Sequence, residues 1–226
     1  MSDSVVIVAA KRTPIGSMNG QLVGLTSPQL ASVAIKAAVA QSGLKPEDIT
    51  EALIGCVLPA ALGQAPARQA VLGADLLKST TCTTVNKVCG SGMKTAMLAH
   101  DSIMAGSASC MIAGGMESMS NAPHMLPKAR QGYRYGHFKA LDHMAFDGLE
   151  NAYDGKSMGI FADATAAKYG FTREDQDAFA TESVRRAQAA VASGAFKGEI
   201  AAITVKGKAG DVVLDTDEPP GQCRPE

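Results

Sequence analysis

The sequence predicts an α/β protein whose parallel-type sheet is covered by helices on both faces. Short apolar runs rich in β-branched residues alternate with segments whose apolar residues recur every three or four positions. Strands that alternate with helices in this way are typical of parallel sheets buried on both faces. Hydrophobic residues make up 46% of the chain and charged residues 19%, which supports a packed core and argues against disorder.

The first half of the chain carries the alternation. A helix is predicted to begin with Ser27 as N-cap and Pro28 at its first position, and Gly43 is predicted to end it. A second helix is predicted over residues 64–77 and a third directly after Cys89. Four apolar runs between these segments are predicted strands: residues 5–10, 52–57, 83–85 and 109–115.

The pattern changes at Asn121. Residues 121–148 contain two prolines and no strong period, which predicts a long loop with a functional or assembly role. Helices are predicted over residues 159–168 and from a capping box at Thr172 to about Ser193. A small hairpin of residues 199–205 and 211–214 and an irregular end from Asp217 complete the chain. We therefore predict two domains, residues 1–120 and a mainly helical region at residues 121–226.

Composition excludes several function classes. The formal net charge of -1 provides no basic surface for nucleic acid or an anionic membrane. No apolar stretch approaches the ~18–20 residues of a spanning helix, and the first residues lack the basic region of a secretory signal. The five cysteines are odd in number and widely spaced, which predicts neither a disulfide framework nor a structural zinc. A cytoplasmic location is expected.

Cys89 is the candidate nucleophile. It follows a predicted strand and precedes a predicted helix, where unpaired N–H groups and the helix dipole favour a thiolate. Gly90 and Gly92 leave room for a ligand to approach the backbone. The alternative is that Cys89 is a small buried hydrophobic residue, as many free cysteines are. Cys56 and Cys110 lie inside apolar strands and are predicted to be core residues.

No histidine can be assigned as the base that a thiol nucleophile requires. His100 lies further along the predicted helix, about 16 Å from Cys89 at 1.5 Å per residue. His124, His137 and His143 are predicted to be solvated loop residues. Residues 90–95 lack the glycine–lysine step of a phosphate loop, which argues against mononucleotide binding.

Residues 85–94, with the sequence VNKVCGSGMK, resemble the nucleophile motif of the thiolases, the acetyl-CoA acetyltransferases. Further segments that match the family follow in the right order along the chain: residues 11–16, 113–120, 147–149 and 157–159. The resemblance implies the N-terminal half of a thiolase, with an incomplete mixed sheet and an inserted helical loop domain at residues 121–226. That loop domain is expected to bind CoA and to take part in a homodimer or tetramer of the full-length protein.

The resemblance also assigns roles to individual residues. Cys89 is expected to carry an acyl thioester, with its backbone N–H helping to bind the oxyanion. Leu149 and Met158 are expected to line the acyl and pantetheine region, and Arg224 to contact the nucleotide end of CoA. Ser157 stands where short-chain biosynthetic members carry histidine, which argues against strict specificity for acetoacetyl-CoA. Acyl-CoA and acetyl-CoA are the implied substrates, with no tightly bound cofactor and no metal.

Two family segments do not occur among the 226 residues. These are the Gly-His-Pro segment with the activating histidine and the Cys-x-Gly-Gly segment with the second catalytic cysteine. The chain is therefore expected to carry the acyl acceptor without its base and to be inactive alone. One alternative is a non-catalytic assembly fragment that needs a complementary chain; weaker alternatives are a related condensing enzyme and a cysteine hydrolase.

Overall fold

The α/β prediction is confirmed by a computed structural model that describes residues 4–207 and 210–224. Its central sheet has three parallel strands, β1 (Glu51–Gly55), β2 (Thr81–Val85) and β3 (Met111–Gly115). The strand order is β2-β1-β3, and Glu51 lies opposite both Thr81 and Met111. The middle strand is therefore the first of the three in the sequence.

Helices cover both faces of this sheet, as predicted. Side chains alternate along a strand, so neighbouring residues of β1 face opposite sides. Ala52 and Ile54 pack in one core cluster with α1 (Ser27–Ser42) and α2 (Pro66–Gly73). Gly55 faces the other side, against α3 (Ser91–Met104). The cluster on the first face comprises Ala31, Ile35, Ile49, Ala52, Ile54, Cys56, Ala67, Ala70, Val71, Ala74, Leu76 and Met116.

The N-terminal end of α1 differs from the prediction by one residue. Thr26 is the N-cap, and its backbone N–H donates to the side-chain oxygen of Gln29 at 2.9 Å. Ser27 is consequently the first helical residue, and Pro28 follows in the first turn, where its missing N–H costs no hydrogen bond. Gly43 ends the helix in the left-handed conformation with a φ of 71°, as predicted.

The predicted first strand, residues 5–10, is wrong. The segment forms no strand and pairs with none in the described part of the chain. Val6, Ile7 and Val8 are 70%, 88% and 58% exposed. An apolar run shows that its side chains favour burial, but it does not show that a neighbouring strand is available to pair with its backbone.

The second half holds small antiparallel pairs and long helices. Strands β4 (His124–Met125) and β5 (Leu141–Asp142) close the base of the long loop. The capping box at Thr172 is confirmed, because its hydroxyl accepts from the Asp175 N–H and its N–H donates to the Asp175 carboxylate. The predicted hairpin is also confirmed. The two helices are α4 (Met158–Tyr169) and α5 (Arg173–Ser193). The hairpin consists of β6 (Ile203–Val205) and β7 (Val212–Leu214).

The irregular end predicted from Asp217 is partly wrong, because Glu218–Gln222 forms a short helix, α6. Its two prolines lie in the first turn, where a helix tolerates them. Residues 225 and 226 lie outside the described residues. Across residues 4–207 and 210–224, no helix has both the length and the apolarity that crossing a bilayer requires.

Arg12 connects the N-terminal segment to the end of the chain. Its guanidinium donates to both carboxylate oxygens of Asp217, at 2.7 and 2.9 Å, and to Glu199 at 2.6 Å. The same group lies 5.0 Å from the centroid of the Phe196 ring. Backbone hydrogen bonds reinforce the link, because the N–H of Ala201 donates to the Arg12 carbonyl at 2.7 Å. Residues on either side of the predicted domain boundary are therefore joined directly.

This contact predicts a pH-dependent contribution to stability. Hydrogen bonding from Arg12 is the main reason that the pKa of Asp217 is lowered. A lowered folded-state pKa stabilises the protein above the unfolded pKa of about 3.9, and the stabilisation is lost as the pH falls through the folded value. We expect Asp217→Asn to lower the free energy of unfolding by about 2 kcal/mol at pH 7, in the range of hydrogen bonds to charged groups. Urea unfolding at several pH values measures this.

The matched control is Asp215→Asn, because Asp215 is exposed. We expect this variant to unfold like the wild type at every pH. The difference between Asp217→Asn and the wild type is expected to shrink towards zero in acid. An equal difference at all pH values would show that the carboxylate charge is not the cause.

Candidate active site

Cys89 lies in the turn between β2 and α3, directly before the N-cap residue Gly90. The preceding residue, Val88, has a φ of 48°, a left-handed conformation that β-branched residues rarely adopt. Hydrogen bonds within the turn hold it in place. Among them, the Val88 N–H donates to the Asn86 side chain at 2.9 Å, and the Lys87 N–H donates to the Ser91 hydroxyl at 2.9 Å. The turn leaves Cys89 exposed, as a nucleophile requires and a core residue does not.

Glycines allow α3 to lie very close to the strands beneath it. A Cβ atom at Gly55 would lie 2.6 Å from the Cβ of Ser91, and one at Gly115 would lie 3.3 Å from the Cα of Gly92. The buried Thr95 hydroxyl lies 2.7 Å from the Gly92 carbonyl oxygen and 2.9 Å from that of Gly114. The start of the helix, and with it Cys89, is therefore located by backbone contacts on β1 and β3.

Cys89 opens onto a cleft of about 390 Å³ at the carboxyl ends of the strands. Ligands of parallel α/β sheets commonly bind at this edge. The lining is mostly apolar, and Leu149 forms part of it, so the structure brings these two predicted residues together. The cleft is lined by Gly55, Val57, Leu58, Val88, Cys89, Ser91, Gly92, Gly115, Met116, Glu117, Met119, Met144, Gly148 and Leu149.

The other three predicted site residues are not part of this lining. Ser157 is the N-cap of α4, and Met158 is its first residue; both side chains are exposed. Arg224 is also exposed, beyond α6.

Glu117 lies in the thiolase-like segment 113–120, but the sequence predicts no role for it. Its carboxylate accepts hydrogen bonds from the N–H groups of Val57 and Leu58, at 2.8 and 3.1 Å. It therefore holds the loop after β1 against the loop after β3. Cys56 lies beneath them, and burial, assisted by the negative charge of Glu117, raises the pKa of its thiol to about 11. Cys56 is thus an inert core thiol, as predicted.

Cys110 packs against the core cluster, as predicted, but lies just outside the strand, whereas the prediction of a solvated His143 is wrong. Cys110 is half-buried and precedes β3, because that strand begins only at Met111. His143 is buried rather than solvated: its Nδ1 lies 2.6 Å from a carboxylate oxygen of Asp147, and its Nε2 accepts from the Ala60 N–H at 3.4 Å. The spacing of four residues between His143 and Asp147, typical of a helical pair, was the available signal.

The remaining histidines do not supply a base. His100 lies on α3 with its ring exposed next to Asp101, and His124 and His137 are exposed as predicted. Of the residues that line the cleft, Cys89 and Glu117 are the two that can exchange a proton, and the carboxylate of Glu117 is occupied by two amides. In the described chain, the cleft presents an accessible thiol beside an apolar wall.

The amino-acid sequence has clear relatives. The family model described as "Thiolase, N-terminal domain" matches residues 5–223. The acetyl-CoA acetyltransferase of Chromobacterium violaceum is 48% identical over 215 residues, which cover 95% of this chain and 55% of that protein. The acetyl-CoA acetyltransferase of Schizosaccharomyces pombe is 46% identical over 222 residues, which cover 97% and 56% of the two chains.

The chain thus spans about half the length of the curated relatives that it matches. The matched family region extends over nearly all of the described elements, including the turn that carries Cys89. The chain belongs to the thiolase family.

Proposed function

We propose that this chain is the acyl-accepting part of an acyl-CoA C-acetyltransferase. The exposed thiol of Cys89, opening onto an apolar cleft in a chain of the thiolase family, carries the proposal. The Cys89 thiol loses its proton to solvent, the thiolate attacks the carbonyl carbon of an acyl-CoA, and the bond to the CoA sulfur breaks. CoA leaves as a thiolate and takes a proton from solvent. A thioester on Cys89 keeps its carbonyl electrophilic, so the carbanion of a second acetyl-CoA can attack it and release a 3-ketoacyl-CoA. Thiolysis is the reverse.

Substrate contacts follow from the same proposal. Leu149 contributes to the cleft wall and is assigned to the acyl group. Ser157, Met158 and Arg224 are exposed and available to the longer CoA moiety outside the cleft. The free state of all five cysteines suits a reducing compartment and supports a place in the cytoplasm.

Acetyl capture tests the proposal. Purified chain is incubated with acetyl-CoA, and each cysteine peptide is analysed by mass spectrometry. We expect acetyl groups on Cys89 in excess over Cys223, the other exposed thiol, and their removal by free CoA. Equal acetylation of the two thiols would contradict the proposal, because both would then react only as solvent-exposed cysteines.

The isolated chain is not expected to turn over. General bases contribute about 10²–10⁴-fold to such reactions, and none is positioned in the described cleft. Cleavage of acetoacetyl-CoA in the presence of CoA is therefore expected to fall short of a complete enzyme by at least that factor. Turnover close to that of a complete enzyme would overturn this expectation.

A non-catalytic assembly fragment is the second candidate. Val6, Ile7 and Val8 leave an apolar segment exposed, and β2 and β3 form open sheet edges in the described structure. Exposed edges and apolar patches favour association with another chain. Mass measurement in solution tests this candidate. A stable monomer argues against it, and association with a thiolase C-terminal chain but with no other protein supports it.

For the complete protein we propose a homodimer or tetramer, with residues 121–148 as an assembly loop.

A further inference from the structure

His143 joins two segments that both contribute to the cleft wall. Its Nδ1 lies 2.6 Å from the Asp147 carboxylate, and its Nε2 faces the N–H of Ala60 at 3.4 Å. A backbone N–H can only donate, so Nε2 must accept, and the ring proton is assigned to Nδ1, which donates to Asp147. Only 5% of the side chain is exposed, so water does not compete effectively for these bonds.

The two partners belong to separate wall segments. Ala60 lies in the loop after β1, whose residues Val57 and Leu58 line the cleft. Asp147 lies in the π-helical turn Ala145–Leu149, which contributes Gly148 and Leu149. The segments touch: a Cβ at Gly148 would lie 3.3 Å from a terminal carbon of Leu58. A change in the His143 bridge therefore changes the separation of the two segments.

We propose that His143 is a positioning residue that sets the width of the cleft beside Cys89 and thereby the size of the group that reaches the thiol. Only the description of that group as an acyl chain rests on the proposed function. His143 is not among the residues that line the cleft in the described chain. It acts through Leu58 and Leu149, whose side chains form the wall.

Two substitutions separate the two bonds of the bridge. In His143→Asn the amide nitrogen replaces Nδ1, so the bond to Asp147 is kept and the bond to Ala60 is lost. In His143→Gln the longer side chain places a carbonyl oxygen near the position of Nε2, where it can accept from Ala60. His100→Asn is the matched control, because His100 is exposed on α3 and does not line the cleft.

The measurement compares two alkylating reagents on the full 226-residue chain, iodoacetamide and an iodoacetamide with a hexyl substituent. Rates at Cys89 and Cys223 are followed separately by peptide mass spectrometry. The ratio of the two rates cancels the thiolate fraction and isolates steric access. Alkylation requires no acyl transfer, so a failure of the proposed function does not affect this test.

We expect the hexyl reagent to be disfavoured at Cys89 relative to Cys223 in the wild type. His143→Asn is expected to raise the hexyl-to-small ratio at Cys89 by about threefold, below the tenfold or more that one methylene is worth in a fitted pocket. His143→Gln is expected to return the ratio towards the wild-type value, and His100→Asn to leave it unchanged. A wild-type ratio in His143→Asn, no recovery in His143→Gln, or an equal change at Cys223 would overturn the proposal.

Discussion

Cys89→Ala is expected to abolish acetyl capture at this position, whereas Cys223→Ala is expected to leave it intact. Alanine has no nucleophile, and no other thiol lines the cleft in the described chain, because Cys56 is buried beneath it and Cys82 and Cys110 are outside its lining. The measurement is the amount of acetyl group bound to the protein after incubation with acetyl-CoA and removal of the excess.

Cys89→Ser tests whether the thiol itself is required. The hydroxyl occupies nearly the same space as the thiol but is ionised far less at neutral pH, so most of the acetyl capture is expected to be lost. Folding is not expected to change, because residue 89 is exposed and lies outside α3. Acetyl capture by Cys89→Ala at the wild-type level would show that the cleft thiol is not the acceptor.

Gly55→Ala is expected to have the largest effect on stability. The added Cβ would lie 2.6 Å from the Ser91 Cβ and 2.8 Å from the Ser91 carbonyl carbon, which belongs to the backbone of α3 and cannot rotate away. Overpacking of this kind costs typically 1–3 kcal/mol, and we expect about 3 kcal/mol because backbone atoms are involved. Urea unfolding gives the free energy, and the rate of iodoacetamide reaction at Cys89 reports the displacement of the turn.

Gly114→Ala is the matched control for Gly55→Ala. Gly114 occupies the neighbouring strand opposite Ile54, and a Cβ there would meet no atom within 4 Å. The change also reduces the freedom of the unfolded chain, so stability is expected to stay the same or rise by less than about 1 kcal/mol. Similar losses in both variants would mean that glycine at either site is needed for a reason other than helix approach.

The sequence predicts helices correctly where the apolar periodicity agrees with the residues that mark helix ends. Gly43 and the Thr172 capping box marked helix ends because they act through hydrogen bonds and backbone angles local to the chain. The strand predicted at residues 5–10 is wrong because strand formation depends on a distant partner. Local signals identify an element, whereas pairing is a property of the whole sheet.

The same distinction between local signals and long-range contacts applies to the residues of the site. The exposure of Cys89 follows from the turn that precedes α3, and a strand followed by small residues predicts such a turn. The contacts of Glu117 with Val57 and Leu58 span separate segments of the chain, so no local pattern reports them. The bond from Ala60 to His143 is likewise long-range, so the local sequence around His143 gives no sign of it. Composition and spacing identify the reactive group better than the groups that hold it.

The position of β1 in the middle of the sheet also has a consequence for folding kinetics. Glu51 pairs with Thr81 on one side and with Met111 on the other, so the first strand in the sequence is complete only after both later strands have formed. Parallel pairing of this kind closes long loops before it gains contacts, which slows folding. During synthesis, β1 emerges from the ribosome well before β3. Until then its edge is open, and an unpaired strand edge favours misassociation of the nascent chain.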